Sequence, residues 1–282
     1  MRVHWIQAVV VGFALLMSGC GPSSKGPEPA KPGTPAFYWA AAEAAYKKGD
    51  FGAAVQSLGK VVISDNEYRL RAQVWMMAID AGMTRGDMEW ADVLEAGGKV
   101  ARARQMDFRK LTTTARTAAS QSAMRFADTG HVLQGQLKDE EIPIAFAVPD
   151  VNKDKPVELE KLSKGVLPPE AEVEKMHSLM LKRGVLQSVA RLGDAGGDVE
   201  KAKAALTPGA KLKREEFLMY LAGEYMEMSE LYGPKKLDRA GRAKLLLDEG
   251  KEALASVPQS AARAKVAKKI DELSKKLPKT AS

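Results

Sequence analysis

The side chains best suited to chemistry are few in this sequence, and their spacing argues against a reaction centre. Cys20 is the one cysteine in 282 residues, and His131 and His177 are the histidines beyond His4. Neither of those two lies in a His-Glu-x-x-His arrangement, which would set two imidazoles on one helix face around a metal. His177, within Glu174-Lys-Met-His-Ser-Leu, reads as a surface histidine on a helix flank. Carboxylates occur as adjacent pairs, Glu140-Glu141, Glu215-Glu216 and Asp271-Glu272. Neighbours on a helix point about 100° apart, so such pairs do not face each other across a glycosidic bond, and solvated charge is the favoured reading. No glycine-rich phosphate loop or Gly-x-Ser-x-Gly elbow occurs. Met76-Met77, Met219, Met226 and Met228 fall among Leu and Tyr with no histidine or cysteine beside them, which favours core packing over copper. The sequence therefore predicts no catalytic site, no metal and no bound cofactor.

The elements around these residues begin with Met1-Arg2-Val3-His4, an apolar stretch from Trp5 to Met17 interrupted by Gln7, and then Ser18-Gly19. That order predicts a cleaved signal peptide over residues 1–19, too short to span a bilayer as a mature helix. Met17-Ser18-Gly19-Cys20 resembles the bacterial lipobox, with Met17 where that family usually has Leu. The resemblance implies cleavage before Cys20, a thioether lipid on its sulfur as the one attached group, and acylation of the new amine. It also implies a cell-envelope location, with Gly21 rather than Asp after the cysteine directing the protein to the outer membrane, facing the periplasm. Once Cys20 carries lipid no thiol is left for a disulfide, so packing alone must stabilise the domain.

From Cys20 to Pro35 the chain is rich in Pro, Gly and Ser and has almost nothing to bury, which predicts a tether. Proline-rich chain extends at about 3.1 Å per residue, so this stretch reaches up to roughly 45 Å from a bilayer. No proline falls between Ala36 and Ile142, five fall between Pro143 and Pro169, and the rest, at 208, 234, 258 and 278, are spaced like helix ends. Apolar residues recur at three and four rather than two, which predicts an all-α fold. Three regions follow: an N-terminal helical region over 36–138, an irregular Pro-rich connector over 139–168, and a C-terminal helical-hairpin region over 169–282. In the connector, Ile142 to Pro149 is expected to lie extended across a helical surface, with pairing as a small strand the less favoured alternative. Phe217, Leu221, Tyr225, Met228 and Tyr232 share one helical face, ended by Gly233-Pro234, and 240–256 supplies the antiparallel return before Pro258. Val266, Ile270, Leu273 and Leu277 form a narrow stripe on a last helix, suited to capping a helical stack.

Gly49-Asp50-Phe51 interrupts two helical patterns, and Ala54 and Leu58 then follow at helical spacing. Gly permits the turn, Asp50 caps the second helix, and the small Ala54 lets the helices approach. The segment resembles a tetratricopeptide repeat, and the signature returns at Gly86-Asp87-Met88 and at Gly197-Asp198-Val199, the first recurrence at a spacing wider than the family's about 34 residues. The resemblance implies antiparallel hairpins stacked as a solenoid, with first helices lining a groove for peptides. Carried onto the best-matched hairpin, it puts Trp39, Glu43 and Lys47 toward that groove; packing of Trp39 against the next hairpin is the preferred alternative.

The net charge of +7 is uneven, with Lys265, Lys268, Lys269, Lys275 and Lys276 crowding the last helix. A lipid-anchored protein of the envelope does not meet nucleic acid, so contact with an anionic surface is the functional reading of these lysines and a solvated end helix the plainer one. The sequence as a whole predicts an interaction scaffold that recruits an envelope protein or peptide. The alternative is a small-ligand-binding accessory of a transport system, lined by the methionines and aromatics of the C-terminal half; an envelope enzyme acting on glycan comes last.

Overall fold

The computed structural model describes residues 30–138, 141–145, 159–193, 197–234 and 236–278. Residues 1–19, expected to be a signal peptide, Cys20 and most of the expected tether lie outside the described residues, as do most of the expected connector and Glu140. The described chain is predominantly helical, as the periodicity predicts, and none of its helices is long and apolar enough to cross a membrane.

The first hairpin forms where the sequence places it. α1 (Pro35–Lys48) starts at a proline, whose missing N–H costs nothing there, under a Thr34 side chain that accepts from Phe37 N. Gly49 ends it in the left-handed region at φ +80°, and Asp50 caps α2 (Phe51–Val61) by accepting from Ala53 N at 3.0 Å.

The second occurrence of the signature is not a turn. Gly86 and Asp87 lie inside α3 (Arg69–Val100), a continuous helix of 32 residues. Here glycine serves a helix crossing. α3 is flanked by α4 (Gln105–Gln136) and α6 (Glu170–Gly193), and a Cβ added at Gly82 would fall 2.2 Å from Val185 Cα, one at Gly86 2.8 Å from Leu181 Cα. Gly184 of α6 answers them, since its Cβ would meet the Gly82 carbonyl oxygen at 2.2 Å. Small residues spaced four apart allow the two backbones to touch. Each helical glycine costs about 1 kcal/mol relative to alanine, and the close crossing offsets that cost.

The third signature does open a helix, with Gly197 at φ +72° and Asp198 capping the short α7 (Val199–Ala205). α8 (Arg214–Ser229) continues as a tight turn through Tyr232, α9 (Ala240–Ala255) returns along it, and α10 (Ala261–Lys276) packs on both. The predicted face is buried throughout: Phe217, Leu221, Tyr225, Met228 and Tyr232.

The described part of the connector combines both of its readings, lying extended on a helix and pairing as a small strand. β1 (Glu141–Pro143) pairs antiparallel with β2 (Lys211–Lys213), with Ile142 opposite Leu212. Ile142 and Ile144 are buried, and Trp75 Nε1 donates to the Ala145 carbonyl at 3.0 Å, so this strand lies on α3 as well as pairing. α5 (Leu159–Ser163) then brings Leu162 against Gly97 of α3. One large core runs from Trp39 through Trp75, Phe126 and Tyr225 to Ile270, so the regions on either side of the connector share it. A smaller core of Trp90, Leu94, Phe108, Leu162, Met176 and Met180 fills the far end of α3.

Candidate functional site

The structure distributes the residues singled out from the sequence over unconnected places. Cys20 lies outside the described residues. Trp39 is 8% exposed, stacked on Tyr68 at 5.5 Å and covered by the Arg71 guanidinium at 4.3 Å. Its indole N–H donates to Glu43 at 3.0 Å, so two of the three expected groove residues bind each other and the tryptophan is core; Lys47 alone is exposed. Lys265, Lys268, Lys269, Lys275 and Lys276 are exposed along α10, with Lys269 3.9 Å from Glu230. Met226 and Met228 are buried in the core with Tyr225 and Tyr232 and line no groove. Glu141 pairs with Lys211 at 2.8 Å, and Glu215, Glu216, Asp271 and Glu272 are exposed, as solvated charge should be.

His177 is not a free surface residue. Its Nε2 lies 2.6 Å from Asp87 Oδ1, and its ring stacks on Trp90 at 5.7 Å. Asp87 thus joins α3 to α6 instead of capping a turn.

A buried ionic cluster invisible in the sequence joins three helices. Arg85 Nη2 of α3 lies 2.6 Å from Glu224 Oε2 and 2.5 Å from Glu227 Oε2 of α8. Arg191 of α6 pairs with Glu227 and stands 3.5 Å from Glu224 Oε1. Glu224 is fully buried within reach of both guanidiniums, although neither of its oxygens is met at a hydrogen-bonding angle. Burial opposes the charge on Arg85, but the two glutamates outweigh it and hold the guanidinium above its usual range. Beside the cluster, burial raises the Tyr220 phenol, with Glu224 adding to the effect, and its hydroxyl lies 3.1 Å from Ser188 Oγ. A phenol so held is no base, and the cluster acts as a structural tie between helices.

The accessible site lies at the end of the α3–α4 hairpin. A cleft of about 420 Å³ opens between Leu94, Glu95, Gly98 and Lys99 on α3 and Gln105, Phe108, Arg109, Thr112, Thr113 and Arg116 on α4. Gly98 brings the helices together, because a Cβ there would stand 3.1 Å from Phe108 Cβ. Glu95 is shared between Lys99, at 3.1 Å, and Arg116. The Lys99 hydrogen bond, with Arg116 behind it, holds the Glu95 carboxyl below its ordinary range against partial burial. Arg109 on the rim and Arg102 in the preceding turn have no acidic partner among the described residues, and the buried Arg116 Nε has no hydrogen-bond acceptor. Val100 at the end of α3, Met106 in the first turn of α4 and Val166, next to the Gly165 that abuts Ala101, are exposed by 61%, 73% and 56% in the segments adjoining the α3–α4 turn.

Comparison with protein-family models, curated proteins and solved structures finds no match. Function therefore rests on the site itself. Lys99, Arg109 and Arg116 against the single carboxylate of Glu95 suit an anionic group, and the exposed apolar residues of the adjoining turn suit the side chains flanking it. Thr112 Oγ1 donates back to the Phe108 carbonyl at 2.8 Å, and no base adjoins Thr113 among the lining residues. The arrangement has the charge to hold an anionic ligand. Sequence reasoning passed over this site although it is local: Lys99, Arg102, Arg104, Arg109 and Lys110 lie close together around Gly97-Gly98.

Proposed function

We propose that this chain is a lipid-anchored protein of the bacterial envelope whose helical domain binds an acidic segment of another envelope protein at the α3–α4 tip, without catalysis. The observation that carries this reading is the tip itself, where the cleft has Arg109, without an acidic partner among the described residues, in its lining, and where Arg102 and the exposed Val100 and Met106 lie in the adjoining turn. The lipid anchor rests on Met17-Ser18-Gly19-Cys20, and the tether after it supplies the reach to a partner. The outer-membrane and periplasmic assignment rests on Gly21. The tetratricopeptide resemblance enters through α1 and α2, whose Gly49-Asp50 turn has the form that the family implies; the proposed solenoid is the stacking of that hairpin on α3, not an array of independent repeats.

In-cell photo-crosslinking tests it. A probe at Met106 should trap one recurrent envelope protein, a probe at Ile63 near the opposite end of α3 should not, and Arg109→Glu should abolish the product. Equal trapping at both positions, or none at Met106 in a protein correctly held at the membrane, would refute it. The cleft volume favours one second reading, since about 420 Å³ falls in the range of small-molecule sites. An anionic solute, as in an accessory of a transport system, should then raise the melting temperature of the wild type and leave Arg109→Glu unmoved.

A further inference from the structure

His131, which lies in no His-Glu-x-x-His arrangement, meets two carboxylates from another helix. It lies in the last turns of α4, and Glu249 and Glu252 stand three residues apart on one face of α9. One ligand atom from each of the three residues falls within 4.8 Å of the others. His131 Nδ1 is 3.1 Å from Glu249 Oε1 and 3.2 Å from its Oε2. A first-row divalent ion with ligands at 2.0–2.2 Å keeps neighbouring donors roughly 3.0–3.5 Å apart, so this pair already stands at coordinating separation. Glu252 is exposed.

The charge around these residues is uncompensated. Asp128, one turn before His131 on α4, Glu249 and Glu252 have no lysine or arginine partner among the described residues, in a chain with a surplus of cations. Beneath them lies Tyr225, whose hydroxyl takes a hydrogen bond from Gln134 at 3.3 Å. Burial chiefly raises that phenol, and Glu249, Glu252 and Asp128 raise it further, so the negative field reaches into the core.

We propose that His131, Glu249 and Glu252 form a binding site for a zinc-class divalent ion, completed by water, that clamps α4 to α9. One imidazole with two carboxylates suits zinc, whereas calcium and magnesium take oxygen ligands alone. Three protein ligands leave a coordination position open. The clamp joins α4, from before the connector, to α9, from after it, so the bound form should resist heat better than the free one.

Calorimetric titration of Zn²⁺ into the purified full chain, without a polyhistidine tag, tests the site. Labelling of histidines with diethyl pyrocarbonate, read by mass spectrometry, accompanies it. One Zn²⁺ per chain is expected, with affinity at least tenfold weaker in His131→Gln and in Glu249→Gln and unchanged in His177→Gln. Zn²⁺ should also protect His131 of the wild type from labelling. His131 is 65% exposed at its side chain, so its replacement leaves the fold intact. The proposal is overturned by absence of saturable binding, by full binding in His131→Gln, or by a labelling rate at His131 that Zn²⁺ does not change.

Discussion

Replacing Gly184 by alanine tests the account of the central helix crossing, because the same substitution elsewhere should have the opposite sign. The new Cβ would stand 2.2 Å from the Gly82 carbonyl oxygen, 2.6 Å from Gly86 N and 3.0 Å from Gly86 Cα. Ordinary contact begins at 3.4 Å, so the two backbones must separate by more than 1 Å, and no flexible side chain is available to yield. Separation strips contact from Val185, Met180 and Val189 and stretches the His177–Asp87 bond. Overpacking costs typically 1–3 kcal/mol, and backbone on both sides places this case near the top. Alanine returns about 1 kcal/mol of helix propensity. The net loss is about 2 kcal/mol, a fall of roughly 4–8 °C in melting temperature for a chain this size. Gly59, in α2, has nothing within 4 Å of an added Cβ, and Gly59→Ala should gain up to about 1 kcal/mol. Urea denaturation of the two variants beside the wild type decides it. A Gly184→Ala protein as stable as wild type, or shifted as Gly59→Ala is, refutes the close crossing.

Three other perturbations follow from described features. Asp80 is fully buried, and burial, only partly countered by Arg125 at 2.6 Å, pushes its carboxyl up to about 6 from an ordinary 3.8. The folded state then holds a proton that the unfolded chain releases, so this group favours folding below pH 4 and that contribution is lost as pH rises through 6. Asp80→Asn should be more stable than wild type at pH 8 by up to about 3 kcal/mol and equal to it near pH 4; a difference independent of pH, in denaturation at pH 8, 6 and 4, excludes the shift. Arg85→Met leaves Glu224 buried with Arg191 alone at 3.5 Å and should cost about 3–5 kcal/mol, most of it recovered in Arg85→Met/Glu224→Leu; the same denaturation assay shows whether the double variant regains stability. Cys20→Ser should move the protein from the membrane to the soluble fraction on cell fractionation, and membrane retention would remove the anchor from the proposed function.

Periodicity exposed what depends on one helix at a time. The face from Phe217 to Tyr232 and the stripe around Ile270 could be read from spacing alone, because burial on one side leaves a repeat of three and four. Gly49-Asp50 was legible for the same reason, since capping is local. Gly86-Asp87 was misread because a glycine before an aspartate serves a turn or a tight crossing equally well. The distinguishing signal was Gly82, which shares its helix face. The ties that fix the helices relative to one another, Arg85 to Glu224 and Asp87 to His177, join residues far apart in sequence, and no local pattern announces them. The pairing of His131 with Glu249 was not legible because Glu249 lies on another helix. The cleft was within reach of the sequence but was overshadowed by the denser basic run at the end of the chain.

The burial of α3 on several sides sets how the protein acquires its fold. In a stack of repeats each unit covers the next, and shortening the array from one end leaves the rest standing. Here α3 needs α2, α4 and α6 along its length and Glu224 of α8 against Arg85, so its last neighbour arrives only after most of the chain has been made. Until then, a helix containing Trp75, Met77, Ile79 and Leu94 has no complete cover, and the nascent protein displays apolar surface that holding chaperones recognise. Cleavage after α7 should accordingly yield an unfolded fragment and not a smaller domain, and unfolding should pass through one transition.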